Sequence, residues 1–146
     1  MIRTAIFALA LTLALPGVAL AQLYDSGWSR IAVGDLEQLE LNGGGIRVNN
    51  FLVHPEQRSG RQAPPEEALR SFLFTASTIR QQEKAREVFI QLIGMRENGS
   101  PTLSTAGRAT FNSTGGRQAQ QVQSRTPASA AEMAETRSYF VRIIVQ

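Results

Sequence analysis

No cysteine occurs anywhere in the 146 residues, and that absence removes disulfide bonding, thiol catalysis and thiolate metal sites together. Histidine is nearly absent as well. His54 stands alone, so an imidazole-rich zinc or copper site has no second ligand, and Met95 and Met133 read as core or loop residues rather than soft ligands. A serine triad would need His54 as its base and Asp25 or Asp35 as the orienting carboxylate, but the chain has no Gly-x-Ser-x-Gly to present the nucleophile. Those two aspartates are the only ones, which leaves no Asp-x-Asp ladder for calcium. Glu66 and Glu67 are adjacent and point apart on a helix or a strand, while Glu132 and Glu135 fit an exposed turn, so a glycosidase-like carboxylate pair has no support. No block of five like charges is present, and the formal charge of +3 is small, which argues against a nucleic-acid partner. The reading is a chain with no cofactor, no metal and no catalytic site.

One long apolar run does exist, and it stands at the start. Arg3 supplies a short positive region, residues 5–15 are apolar but for Thr12, Pro16-Gly17 breaks the run, and Ala19-Leu20-Ala21 fits the small-x-small pattern of signal-peptidase sites. The run is shorter than the roughly 20 residues that span a bilayer. Residues 1–21 are therefore expected to be a cleaved export signal, with residues 22–146 forming one domain in the periplasm or outside the cell and no membrane span. Arg3 is the only charge in the leader, so the remaining 125 residues carry +2. That length suffices to bury roughly two-thirds of the unfolded surface without staples.

Within the domain, Leu39 and Leu41 alternate with Gln38 and Glu40, Asn42-Gly43-Gly44-Gly45 tolerates positive φ, and Ile46 and Val48 resume around Arg47. This predicts a hairpin in the first strand region, 28–53. A phosphate cradle at the glycines is disfavoured, because no Lys-Ser or Lys-Thr follows and no helix begins there. Residues 54–65 are polar and rich in proline, as a loop would be.

Residues 66–93 admit two structures. A helix would start at Pro65 with Glu66 and Glu67 in its first turn, carry Leu69, Phe72, Leu73, Ala76 and Ile79 as a stripe, and stop at Gly94. The stripe fails across 80–87, however, where Ala85 is the only apolar residue. As strands, Phe72, Phe74 and Ala76 share one face, and Val88, Ile90 and Leu92 share a face opposite Phe89, Gln91 and Ile93. Asn98-Gly99 then supplies the strongest short-range hairpin signal. The strand reading is preferred, with 80–86 as the connection.

Beyond Pro101 a weaker strand is expected to end near Asn112. Residues 115–130, rich in Gln, Ser and Ala, read as a long surface connection, with a short helix over 127–135 capped by Thr126. Residues 136–146 alternate again, with Tyr139, Val141, Ile143 and Val145 on one face. Too few segments of this kind occur for a transmembrane barrel. The fold expected is mainly β, an immunoglobulin-like antiparallel β-sandwich.

The order of apolar strand, Arg96-Glu97-Asn98-Gly99 turn, weaker strand, connection and alternating last strand resembles bacterial exported immunoglobulin-like modules of the FxLyD type, over residues 71–146. The resemblance implies a sandwich fold and no activity. It departs from that pattern where a strand-ending asparagine is expected, and residues 28–53 have no counterpart in it.

The resulting expectation is a non-catalytic accessory protein that binds another envelope or exported protein. Its candidate contact residues are Tyr24 and Trp28 as an aromatic arm, and Tyr139, Val141 and Ile143 on a terminal strand whose free edge a partner strand would complete, with residues 46–53 as a second edge. Two alternatives remain open at this stage. One is a small-ligand or polysaccharide-binding module stacking on Trp28, Tyr24 and Tyr139; the other is a hydrolase with an unfamiliar carboxylate site drawn from Glu66, Glu67 and Glu97.

Overall fold

The computed structural model describes residues 24–56 and 65–146, and they form two antiparallel sheets packed face to face. The expected leader, and residues 57–64 of the expected loop, lie outside the described residues. Nine strands are described: β1 (Tyr24–Asp25), β2 (Ser29–Ala32), β3 (Leu41–Gly43), β4 (Ile46–Pro55), β5 (Leu69–Arg80), β6 (Glu87–Met95), β7 (Pro101–Thr110), β8 (Gln118–Ser129) and β9 (Ser138–Val145). The first sheet runs β1-β9-β6-β7, with β2 also on β9; the second runs β3-β4-β5-β8. A 3-10 helix, Val33–Gln38, links the sheets, and a short helix α1, Ala130–Glu135, precedes β9.

Period-2 patterning builds the core from both inner faces. Val88, Ile90 and Leu92 of β6 meet Val141, Ile143 and Val145 of β9 on one side, while Ile46, Val48, Phe72, Phe74 and Ala76 come from the other, all buried. The two runs in 66–93 are thus strands, joined across 81–86, and Gly99 turns β6 into β7 at φ +83°. The glycine hairpin also forms as expected: Gly44 and Gly45 hold φ of 59° and 79° in a two-residue turn between β3 and β4, the signature of a type I′ turn. Gly43 is needed for another reason, since a Cβ there would run into the ring of Tyr24.

Four expectations are corrected. Residues 28–53 do not form one strand pair; β1 and β2 join the first sheet and β3 and β4 the second, with the 3-10 turn crossing between them. Strand β4 continues through His54 and Pro55, opposite Leu73 and Phe72, so the loop begins later than the composition indicated. A register shift at Asn50, which takes φ +53°, turns Phe51 inward against Phe74 with ring centroids 6.5 Å apart.

The third correction is larger. Residues 118–129 are a strand paired with β5 over its whole length, from Leu69↔Ser129 to Arg80↔Gln118. Its inward positions include Val122, Thr126 and Ala128, small or polar side chains that leave little alternation for hydropathy to reveal. Helix α1 correspondingly starts later: Ser129, not Thr126, is its cap, in a reciprocal box in which the Glu132 N–H donates to Ser129 Oγ and the Ser129 N–H donates to the Glu132 carboxylate.

Fourth, β9 is not an edge. It is hydrogen-bonded to β6 on one side and to β1 and β2 on the other.

Candidate interaction face

The five residues expected to contact a partner separate into two groups. Tyr139, Val141 and Ile143 point inward at 3%, 0% and 0% exposure, and burial pushes the Tyr139 hydroxyl above its ordinary pKa. They hold the sandwich together and are out of a partner's reach. Tyr24 is half-buried, with its ring over the backbone of Gly43 and Gly44, where no Cβ stands in its way. Only Trp28 faces solvent, at 44% exposure.

The position of Trp28 identifies the surface to which it belongs. Asp25 at the end of β1 accepts from Gly27 N–H at 2.9 Å, and Ser26 exchanges bonds with the Ile143 backbone, so the 26–28 bend lies tight against β9. The guanidinium of Arg142 stacks 5.9 Å from the centroid of the Trp28 ring while both its Nε and Nη2 donate to the Asp25 carboxylate, the former at 2.9 Å. Those bonds raise the Arg142 pKa above its ordinary value and fix the planar fork beneath the indole.

Arg142 is an outward residue of β9, and the cross-strand register extends the surface from it. Phe89 lies beside Ile144, Gln91 beside Arg142, and Ile93 beside Phe140; on the far side Arg108, Ala106 and Ser104 of β7 continue these three rows. On the near side the rows end at Asp25, Trp28 and Arg30. Phe89, Ile93, Phe140 and Ile144 are all partly exposed and none packs against the core, so the outer face of the first sheet is an apolar plaque with Gln91 and Arg142 near its middle. The Oε1 atom of Gln91 is covered by its surroundings and accepts no hydrogen bond.

The outer face of the second sheet is of the other kind. Its middle rows read Asn49, Ser77, Gln121 and Leu52, Thr75, Gln123, with Gln123 Nε2 donating to Gln121 Oε1 at 3.0 Å. The amides of Gln121 and Gln123 there meet water at little cost and separate the exposed Leu52 from other apolar chains, whereas the plaque on the first sheet places partly exposed rings and branched chains side by side.

The strand edges are mostly closed. Edges β7 and β8 lie together, where Thr105 Oγ1 donates to Ser124 Oγ at 2.8 Å and Thr126 Oγ1 to the Ser104 carbonyl at 3.1 Å. On β4, strand β3 pairs only with Ile46–Val48, and beyond it stand the Asn50 bulge and Pro55, which has no N–H to offer.

Among the described residues, no three His, Cys, Asp or Glu side chains gather at metal-binding range, and no helix is long and apolar enough to cross a membrane. Glu66, Glu67 and Glu97 are each exposed. His54 sits at the exposed end of β4 with Nδ1 3.2 Å from the Pro55 carbonyl. No family model, no curated protein and no solved structure matches the chain.

Nothing in the hydropathy profile marks which face of β6 and β9 turns outward. The signal was the interruption: Gln91 and Arg142 break the alternate face of each strand, and a face carrying a charge is the one that must keep contact with water or with a polar partner.

Proposed function

We propose that this chain is a non-catalytic binding protein of the cell envelope, exported by its leader, which docks a protein partner on the outer face of the first sheet. The observation that carries the reading is the partly exposed plaque of Phe89, Ile93, Phe140 and Ile144 beside the exposed Trp28. An aromatic anchor next to an arginine, ringed by apolar area, is the composition from which protein-binding hot spots are built. The sheet face takes over the role first assigned to a free edge of β9.

Two features separate this from a saccharide-binding module. Such a module would stack sugars on Trp28, Tyr24 and Tyr139 together, but Tyr139 is buried and Tyr24 lies over the glycine hairpin, leaving one ring. The plaque also lacks the dense amide and carboxylate lining that hydroxyl-rich ligands need.

A photo-crosslinking residue placed at Ile93 or Phe140 in cells tests the proposal. Protein adducts are expected from these positions and not from Gln121 or Gln123 on the opposite sheet. Absence of adducts from the plaque, or equal yields from both sheets, would refute it. Cell fractionation checks the location, with the protein expected in the periplasmic or extracellular fraction.

A further inference from the structure

Resting on that docking face, we infer that its partner is a second copy of this chain, packed sheet against sheet about a two-fold axis that runs along the Gln91–Arg142 row. In a face-to-face pair related by two-fold symmetry the axis lies in the plane of contact, so residues on it meet themselves and the rows on either side exchange. The plaque satisfies that operation. The row Arg108, Phe89, Ile144, Asp25 is brought onto the row Ser104, Ile93, Phe140, Arg30 of the other copy. Rings then meet aliphatic chains, Phe89 on Ile93 and Phe140 on Ile144, and Asp25 meets Arg30 at the rim.

The axis row suits self-contact as well. An amide carries both a donor and an acceptor, so Gln91 is complementary to its own copy, and a turn about its last torsion brings the unpaired Oε1 to the opposing Nε2. Arg142 would face Arg142, but each is already held by its own Asp25 and covered by its own Trp28 ring.

Size sets the strength expected. Strands ~4.8 Å apart rising ~3.4 Å per residue give the three rows across four strands an extent of roughly 20 by 20 Å, which with side-chain relief buries on the order of 500 Å² per copy. That lies just below the roughly 600–1,000 Å² per partner of standard interfaces, in the range of weak, reversible association. The same axis sets Asp25 of each copy against Arg30 of the other at the rim, a mixed-sign pairing that fits a copy of itself better than a strongly acidic or basic protein.

The absence of cysteine makes a direct test possible, because any thiol introduced is the only one. Sheets pack about 10 Å apart, beyond the roughly 7 Å Cα–Cα reach of a disulfide, so a short bis-maleimide is the suitable bridge. The purified full chain carrying Gln91→Cys should give a covalent homodimer, and Gln121→Cys on the opposite sheet should not. Mixing Arg108→Cys with Ser104→Cys should crosslink the two variants to one another, while each alone crosslinks poorly. Sedimentation of the unmodified protein over the micromolar range should show a monomer–dimer equilibrium that Phe140→Glu shifts to monomer, with near-ultraviolet circular dichroism checking that the variant stays folded.

A chain that stays monomeric throughout overturns the inference. If it is monomeric yet Ile93 still yields protein adducts in cells, the docking face stands and only its occupant is wrong. A dimer that crosslinks through Gln121 instead of Gln91 overturns the inference and counts against the docking face. A dimer in which Arg108→Cys crosslinks to itself overturns the axis.

Discussion

Replacing Arg80 should destabilise the protein more than any other single charge change. Arg80 ends β5 on the inner face with no exposed surface, and no carboxylate among the described residues stands within ion-pair range of it. Its guanidinium is instead caged by carbonyls: Nη1 donates to Asn112 O at 2.7 Å and Ala85 O at 3.5 Å, Nε to Gly116 O at 3.3 Å, and Nη2 to Gly115 O, with the Phe111 ring centroid 5.7 Å away. One side chain thereby holds the 112–116 connection between the sheets to the 81–86 connection. Hydrogen bonds from a charged donor are worth about 1.5–3 kcal/mol each, so the two short ones contribute about 3–6 kcal/mol and the two long ones little. Arg80→Met keeps the aliphatic stem and removes the buried charge, which returns part of the desolvation cost, and the loop carbonyls can turn to water. A net loss of about 2–4 kcal/mol is expected, which lowers the melting temperature by about 8–16 °C at ~4 °C per kcal/mol for a domain of this size. Urea unfolding followed by far-ultraviolet circular dichroism is the assay, because Trp28 lies outside the core and reports it poorly. The loss should persist at high salt, unlike that of an exposed pair such as Arg108–Glu87, and amides in 112–116 should exchange faster. A loss below about 0.5 kcal/mol, or unchanged exchange in 112–116, would refute the reasoning and show that the charge is only tolerated there.

Two further perturbations test other joints of the fold. Gly43→Ala drives a Cβ into the Tyr24 ring and should cost about 1–3 kcal/mol by urea unfolding, and adding Tyr24→Ala should recover part of it, since the two changes share one contact. At α1, the backbone and hydroxyl of Ser129 bond the Glu132 carboxylate and hold its pKa below the ordinary value. A depressed carboxyl pKa adds stability that is full above the unfolded value and is lost as pH falls through the folded one. Glu132→Gln should therefore be destabilising at neutral pH, with a cost that shrinks as pH falls below the unfolded carboxyl value and through the folded one, and a cost that stays constant with pH would show the carboxylate charge to be irrelevant.

Most of the strand pattern was legible in the residues because the chain obeys local rules. Asn98-Gly99 and Gly44-Gly45 turn where turn chemistry requires, and the gap over 80–87 that defeats a helix is the connection between β5 and β6. Strand β8 was hidden because it pairs along an edge whose inward side needs only Val122, Thr126 and Ala128, so pairing with β5 rather than hydropathy makes it a strand. The site was misjudged by parity. Alternation in 138–145 divides the residues into two sets but does not say which is inside, and the set free of charge, Tyr139, Val141 and Ile143, went to the core.

That parity also explains why the first sheet is unusual. In a two-layer sandwich each sheet needs one apolar face, and the second sheet turns Gln121, Gln123, Ser77 and Asn49 outward, with Leu52, Leu73 and Ile79 spaced among polar neighbours. Strands β6 and β9 instead set two rings and two isoleucines side by side on the outer face as well as filling the inner one, a pattern normally found where a sheet is covered on both sides. Phe89, Ile93, Phe140 and Ile144 remain partly exposed and stand outside the core cluster. The core does not use them for folding, so Ile93→Ser or Phe140→Ser should leave the stability of the isolated chain within about 1 kcal/mol while removing association. If either substitution instead unfolds the protein, these side chains belong to the fold and the third layer does not exist.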